Sequence, residues 1–130
     1  MNLEHALDIN LWIDKARNLL VNNGIIAVAV PNYGSIFRVL LQENDPFITP
    51  PEHLNYFNAI SLGKALEKHN FKVVANQWVS RIPATAFASR LPAYPGLIST
   101  VTAISKVGLG MIDALRLGMI INIYAKKLGA

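Results

Sequence analysis

Two short segments of the chain place a histidine directly after a glutamate, in surroundings that suit chemistry. Glu4–His5 lies near the start, and Glu52–His53 lies within TPPEHLNYFN, where prolines, asparagines and aromatic residues interrupt an otherwise aliphatic sequence. Imidazole is the side chain that exchanges a proton most readily near neutral pH, so each histidine is a candidate general base. Neither pair belongs to an H-E-x-x-H motif, which argues against a zinc hydrolase.

Each histidine also has a purely structural interpretation. His53 can pack beside Tyr56 or cap a turn, and His5 can pack where the chain enters its first helix. His69, at the end of a predicted helix, is most simply a partner of the helix dipole. We predict His53 and His5 as catalytic candidates, with these alternatives open.

Polar side chains in the loops are candidates for binding a substrate. Asn32 follows an apolar run and can contact a ligand, although an asparagine here can equally form an Asx-turn. Loops carried by a rigid sheet often hold functional residues. The sequence therefore predicts substrate-binding roles for Asn32, Tyr33, Asn55 and Tyr56.

The composition indicates a chain with a large apolar share. Of its 130 residues, 52% are apolar and 15% are charged, whereas a typical domain has about 25% charged residues. The length fits one domain or part of one. So low a charged share predicts that a partner covers much of the surface, or that these residues are part of a larger fold.

The basic residues do not form a nucleic-acid-binding pattern. The net charge is +4, but the twelve lysines and arginines are scattered, and Lys126–Lys127 is the only adjacent pair. The chain has no cysteine, so it has no disulfides and no thiolate ligands, and we predict no metal site. The first ten residues lack the apolar core of a signal peptide, and we expect a cytoplasmic location.

Apolar periodicity and turn residues predict helices that alternate with strands. Asp8 can cap a first helix, and the Asn22–Gly24 turn follows it. The uncharged run GIIAVAVP predicts a strand that is buried on both faces. Asn58 can cap a later helix, which ends at Asn70, a residue that tolerates the left-handed conformation. The remaining predictions are a short helix in GSIFRVLLQ, strands in FKVVANQWVS and MIINIYAKK, and core positions for Trp12 and Trp78.

A proline-broken link and an amphipathic helix, together residues 80–117, separate the last two strands. In the helical pattern Lys106, Asp113 and Arg116 share one arc, and the rest of the surface is apolar. Such a helix packs in a core or against a partner rather than crossing a membrane. We predict an insertion or lid-like segment, suited to a lipophilic substrate or equally to a dimer surface.

Short motifs follow one another along the chain: Leu3-Glu4-His5, Val30-Pro31-Asn32, Glu52-His53-Leu54-Asn55-Tyr56-Phe57 and Asn70-Phe71-Lys72-Val73. In this order they resemble the second half of class I S-adenosylmethionine-dependent methyltransferases, in the small-molecule branch that includes the ubiquinone and menaquinone enzymes. In that family a Glu-His pair ends the fourth strand, Pro-Asn ends the fifth, and EHL-x-YF leads into a helix that ends in GF-x-V. Asn70 stands where the family usually has glycine. The similarity covers residues 3–79, and GMIINIYAKK more loosely resembles the antiparallel last strand.

The resemblance implies an α/β fold: a partial Rossmann-like methyltransferase sheet, with strands equivalent to strands five, six and seven, the last antiparallel, and flanking helices. It also implies methyl transfer from S-adenosylmethionine to a small-molecule acceptor, with Glu4 and His5 making only edge contacts to this cofactor. The family's glycine-rich turn, where the backbone approaches the cofactor, is absent, since Gly108–Gly110 falls within the amphipathic helix. We expect residues 1–130 to form a single partial domain, the acceptor-side half, inactive alone.

Two functions remain open at this point. The chain can be the acceptor-side half of an enzyme that works together with an N-terminal half. It can instead be a non-catalytic, methyltransferase-like module that acts as an oligomer or as a partner subunit.

We predict that the chain forms a dimer or a larger assembly. The strand at residues 24–30 lacks the neighbour that it has in the family, and a bare apolar edge is a template for pairing with another chain. Light scattering at micromolar concentration checks this, and a monomeric mass would contradict it.

Overall fold

The computed structural model describes residues 3–42, 45, 47, 50–80 and 106–129. Residues 81–105, which hold most of the predicted link, lie outside this description. In chain order the elements are a 3-10 helix (Leu3–His5), α1 (Ile9–Leu19), β1 (Ile25–Pro31), α2 (Ile36–Leu41), α3 (Ala59–Lys68), β2 (Phe71–Val79) and β3 (Ile120–Lys127). Residues 106–114, before β3, are also helical.

The helix ends form as the local sequence predicts. The Asp8 carboxylate accepts a hydrogen bond from the Leu11 N–H at 3.0 Å and caps α1. The Asn58 side chain accepts from the Ser61 N–H at 2.8 Å and the Ser61 hydroxyl accepts from the Asn58 N–H at 3.0 Å, which makes a capping box for α3. Asn70 leaves α3 with φ of 59°, the left-handed conformation that asparagine tolerates. The predicted starts of both helices and the predicted end of α3 are confirmed, whereas α1 ends at Leu19 with an extended Leu20 rather than in a left-handed exit at residues 22–24.

The last strand of the chain is the middle strand of the sheet. The strand order is β1-β3-β2, and β3 is antiparallel to both neighbours. Ile120, at the start of β3, pairs with Pro31 on one side and with Val79 on the other. The carboxyl ends of β1 and β2 therefore lie at the same end of the sheet. This confirms a mixed α/β fold with an antiparallel last strand.

One face of the sheet carries the hydrophobic core. β1 and β3 direct alternate aliphatic side chains to this face, and α1, α3 and the 3-10 helix cover it. The fully buried members of the core are Leu3, Ile13, Val28, Leu62, Leu66, Ile121, Ile123 and Ala125.

The other face of β1 is open, which corrects two predictions from the sequence. Ile25, Ala27 and Ala29 are exposed because they alternate with the core-facing side chains, so the prediction of a strand buried on both faces is wrong. Trp12 is 47% exposed and is not a core residue, because α1 turns only Ile13 fully inward. The pattern of aliphatic residues gave no sign of which side the helices would cover.

The helix at 106–114 presents its apolar side outward. Val107, Met111 and Leu115 are exposed, whereas Asp113 accepts hydrogen bonds from the Ser80 hydroxyl at 2.6 Å and the Ser80 N–H at 3.0 Å. For these residues the expectation of core packing is wrong, because the polar arc rather than the apolar one is bonded to the end of β2. Coverage by a partner stays a prediction. Among the described residues, no helix combines the length and the hydropathy that crossing a bilayer requires.

Truncation of Leu66 tests the core. Leu66 on α3 is fully buried, so we expect Leu66→Ala to lower the free energy of unfolding by about 2–5 kcal/mol. Leu19 on α1 is 88% exposed, and the matched Leu19→Ala should change it by less than about 0.5 kcal/mol. Urea unfolding followed by circular dichroism measures both, and equal losses would contradict the assignment of the core.

Candidate functional site

Hydrogen bonds join the two segments that contain the Glu-His pairs. The Glu4 carbonyl accepts from the backbone N–H groups of Leu54 at 2.8 Å and Asn55 at 3.0 Å. The Asn55 side-chain amide donates to the carbonyls of Ala6 at 2.6 Å and Leu3 at 3.3 Å. Since both pairs of bonds span about fifty residues of sequence, the loop is held against the 3-10 helix by tertiary contacts rather than by local turn chemistry.

These contacts bring His5 and His53 together. Their ring centroids are 4.8 Å apart. His5 Nδ1 lies 2.6 Å from the Glu52 carbonyl, and His53 Nδ1 lies 2.7 Å from the Phe47 carbonyl. A carbonyl oxygen only accepts, so each Nδ1 holds a proton and donates it, and in the neutral imidazole Nε2 is the nitrogen with the lone pair. The pair therefore offers two basic nitrogens in one place.

The Glu4 carboxylate completes the cluster. Its Oε1 lies 3.8 Å from His5 Nε2, and its Oε2 is buried with no hydrogen-bond partner among the described residues. One ligand atom each from Glu4, His5 and His53 lies within 4.8 Å of the others. Such a set can share a proton or hold a divalent cation. The predicted catalytic roles of the histidines and the predicted absence of a metal both stay predictions.

Tyr33 and Tyr56, two of the predicted substrate-binding residues, pack against each other with their rings tilted by 48°. Their ring centroids are 5.4 Å apart, and both side chains are partly exposed. Arg38 donates a hydrogen bond to the Tyr33 hydroxyl at 2.7 Å, and its guanidinium lies 4.2 Å from the centre of the same ring. Sequence reasoning missed Arg38, which lies five residues after Tyr33 in the first turn of α2.

Asn32 is fixed by backbone groups. Its side-chain amide donates to the Gly118 carbonyl at 2.8 Å, and its side-chain oxygen accepts from the Gly34 N–H at 3.0 Å, which is the Asx-turn weighed from the sequence. The residue is buried and forms an isolated bridge with Phe57. Asn32 thus positions the end of β1 beside the histidine-bearing loop, while its role in binding a substrate remains a prediction.

His69 lies apart from this cluster. Its Nδ1 is 2.6 Å from Asp14 and its Nε2 is 2.9 Å from the Asn10 side chain, so it links the end of α3 to α1. A contact between helices, rather than the helix dipole alone, explains this histidine.

The residues present make only part of a cofactor site for S-adenosylmethionine. Glu4 and His5 can contact one edge of the cofactor. Among the described residues, however, no strand leads through a glycine-rich turn into a helix, and no acid follows such a unit. Gly108 and Gly110, the only G-x-G in the sequence, lie in the helix at 106–114. The part of the chain that the structure describes therefore contains no glycine-rich strand-to-helix turn that could hold the cofactor.

Removal of the Asn55 side-chain amide tests whether its hydrogen bonds hold the segment with His53 against the segment with His5. Asn55→Ala removes the bonds to the Leu3 and Ala6 carbonyls and leaves the Ala6 carbonyl without this donor, so we expect the free energy of unfolding to fall by about 1–3 kcal/mol. The imidazole NMR signals of His5 and His53 should also move. The control Asn22→Ala, in an exposed turn, should leave both unchanged, and unmoved imidazole signals in Asn55→Ala would contradict the role.

Comparison with known proteins gives one family. Residues 1–76 match the family described as Methyltransferase domain, and this range contains both Glu-His pairs, β1, α3 and the first part of β2. The chain matches no curated protein. Since the match covers more than half of the sequence, the chain belongs to the methyltransferase domain family.

Proposed function

We propose that this chain is the acceptor-side half of an S-adenosylmethionine-dependent methyltransferase that acts on a small molecule. The observation that carries the proposal is the meeting of His5 and His53 within a sequence that matches a methyltransferase domain. Strands β1, β2 and β3 would correspond to strands five, six and seven of the class I sheet. The order β1-β3-β2, with β3 antiparallel, supports this correspondence.

His5 and His53 would accept a proton from the methyl acceptor. The cofactor, when bound, supplies a methyl group on a positively charged sulfur. Positioning gives most of the rate of such a displacement, and a base matters when the attacking group is a hydroxyl or a similar acid. His53 Nε2 or His5 Nε2 would accept that proton, since both Nδ1 atoms already donate to carbonyls. The adjacent rings of Tyr33 and Tyr56, with Asn55, would line the acceptor's side of the site.

The cofactor cradle would come from another segment of polypeptide. The glycine-rich turn is missing from these 130 residues, and β1 stands at one edge of the described sheet. An N-terminal half with strands one to four would pair with that edge and bring the cradle next to Glu4 and His5. A cytoplasmic, small-molecule enzyme of this kind accords with the dispersed basic residues.

A second candidate function is a non-catalytic one. The missing glycine-rich turn favours a methyltransferase-like module that acts as an oligomer or as a partner of a complete enzyme. Its exposed apolar residues, which include Leu7, Leu19 and Ile25, would then lie at the interface with that partner.

Cofactor binding separates the two functions. Calorimetry would titrate S-adenosylmethionine into the chain alone, into a separately expressed segment with the glycine-rich turn and strands one to four, and into their mixture. We expect saturable binding in the mixture and little in the chain alone, because the chain completes the cofactor site. No heat of binding in the mixture would contradict the proposal of an enzyme half and would favour the non-catalytic module.

Replacement of His53 tests its role as a base. In the complemented protein, His53→Gln removes the basic nitrogen but keeps a polar side chain, so we expect kcat for an oxygen acceptor to fall about 100-fold or more. Cofactor binding should stay within about twofold, a difference of about 0.4 kcal/mol. His69→Gln, at the distant contact between α1 and α3, is the control and should keep kcat. An unchanged kcat in His53→Gln would leave the histidine with a packing role.

A further inference from the structure

A cavity of about 570 Å³ lies between α3 and β2, and neither His5 nor His53 is in its lining. It lies at the end of the sheet where β1 and β2 terminate, since Asn32 and Trp78 are in its lining. Its walls include Lys64, Asn76, Trp78 and Arg116. Its volume falls within the range of about 300–1,000 Å³ that small-molecule sites occupy.

An irregularity in β2 gives the cavity its aromatic and polar wall. The register shifts after Val73, and Asn76 and Trp78 then pair with Ile123 and Ile121 of β3. Both isoleucines are fully buried on the core face, so Asn76 and Trp78 lie on that face too. Uninterrupted alternation from Val73 would have turned them to the other face.

Arg116 occupies a backbone position that usually belongs to glycine. Its φ is 65°, its N–H bonds the Asp113 carbonyl at 3.0 Å, and the Leu117 N–H bonds the Ile112 carbonyl at 3.0 Å, which together make a Schellman motif. A long side chain is disfavoured in this conformation. The Arg116 guanidinium lies 5.5 Å from the centre of the Trp78 ring. A charged residue at a strained position next to a cavity indicates that its side chain has a use there.

Gly63 keeps the α3 side of the cavity open. A Cβ built there would meet its nearest atom, Val73 Cγ2, at 3.7 Å, an ordinary contact that alanine could make. Glycine inside a helix is less stable than alanine. Packing therefore does not require glycine at position 63, and the absence of a side chain there enlarges the cavity.

The cavity has an excess of positive charge. Lys64 and Arg116 are in its lining, and Glu67 is the acid that faces them. Among the residues that the structure describes, neither cation forms an ion pair. An anionic ligand would neutralise this charge, and a planar ring would fill the space beside Trp78.

We propose that this cavity binds a small aromatic carboxylate. Its ring would stack on Trp78, its carboxylate would accept from the Arg116 guanidinium and the Lys64 ammonium, and the exposed Asn76 amide would bond a polar substituent on the ring. The inference is independent of the proposed methyl transfer, because it requires only binding by this chain.

The test uses 2-naphthoate as the probe on the full chain. Calorimetry gives its affinity, and the indole N–H signals of Trp78 and Trp12 report its place. We expect 2-naphthoate to bind about tenfold more tightly than its neutral carboxamide and than cyclohexanecarboxylate, which lacks the aromatic ring. The Trp78 signal should shift, and the signal of the distant Trp12 should not.

Variants separate binding from folding. Arg116→Gly should weaken binding about tenfold while the urea midpoint stays the same or rises, because glycine suits a φ of 65°. Lys64→Gln should weaken binding about threefold, and Lys68→Gln, on the same helix but outside the lining, should not. Glu67→Gln should tighten binding, because it removes the facing acid.

Several results would overturn the proposal. Equal affinity for the carboxylate and the carboxamide would show that the cavity does not select an anion. Unchanged binding in Arg116→Gly, a shift at Trp12 instead of Trp78, or no saturable binding of 2-naphthoate would each remove the site.

Discussion

The pairing of β3 with both of its neighbours is the interaction on which the rest of the structure depends. β1 and β2 do not pair with each other, and they share a sheet only because β3 lies between them. Ile121 and Ile123 of β3 are also fully buried at the centre of the core. Because β3 is the last strand, Ile25 pairs with Lys126, from the far end of the chain. Pairing over such a separation is costly in loop-closure entropy, so β1 and β2 share a sheet only after β3 has been placed between them.

The same pairing brings together the carboxyl ends of β1 and β2, and both candidate sites lie near these ends. β1 and β2 end together beside the start of β3. The loop with His53 is bridged to the end of β1 through Phe57, and the cavity is lined by Trp78 near the end of β2. Asn32 connects them, since it joins the end of β1 to the Gly118 turn and bridges Phe57 of the loop. Ligands of open α/β sheets gather at the carboxyl ends of strands, and both candidate sites lie at such ends.

Local features of the fold could be predicted because their causes are local. Asp8 and Asn58 cap helices through side chains that bond N–H groups three residues away, and Asn70 ends a helix because its own backbone tolerates a positive φ. The side that β1 buries could not be predicted from a run of aliphatic residues, which suits either face. Trp12 was misplaced for a related reason, since helical spacing marks an apolar stripe but not how much of it is covered.

The sequence by itself determined the helix caps, the strands and the methyltransferase motifs, because these depend on residue types at short spacing. It also marked His5 and His53 as candidate general bases, because imidazole is the side chain that exchanges a proton most readily near neutral pH. Only the tertiary structure decided that His5 and His53 meet, that Arg38 joins the tyrosines, and that a shift of register turns Trp78 toward a cavity. Those arrangements depend on hydrogen bonds and strand pairing between distant residues, which no local pattern encodes.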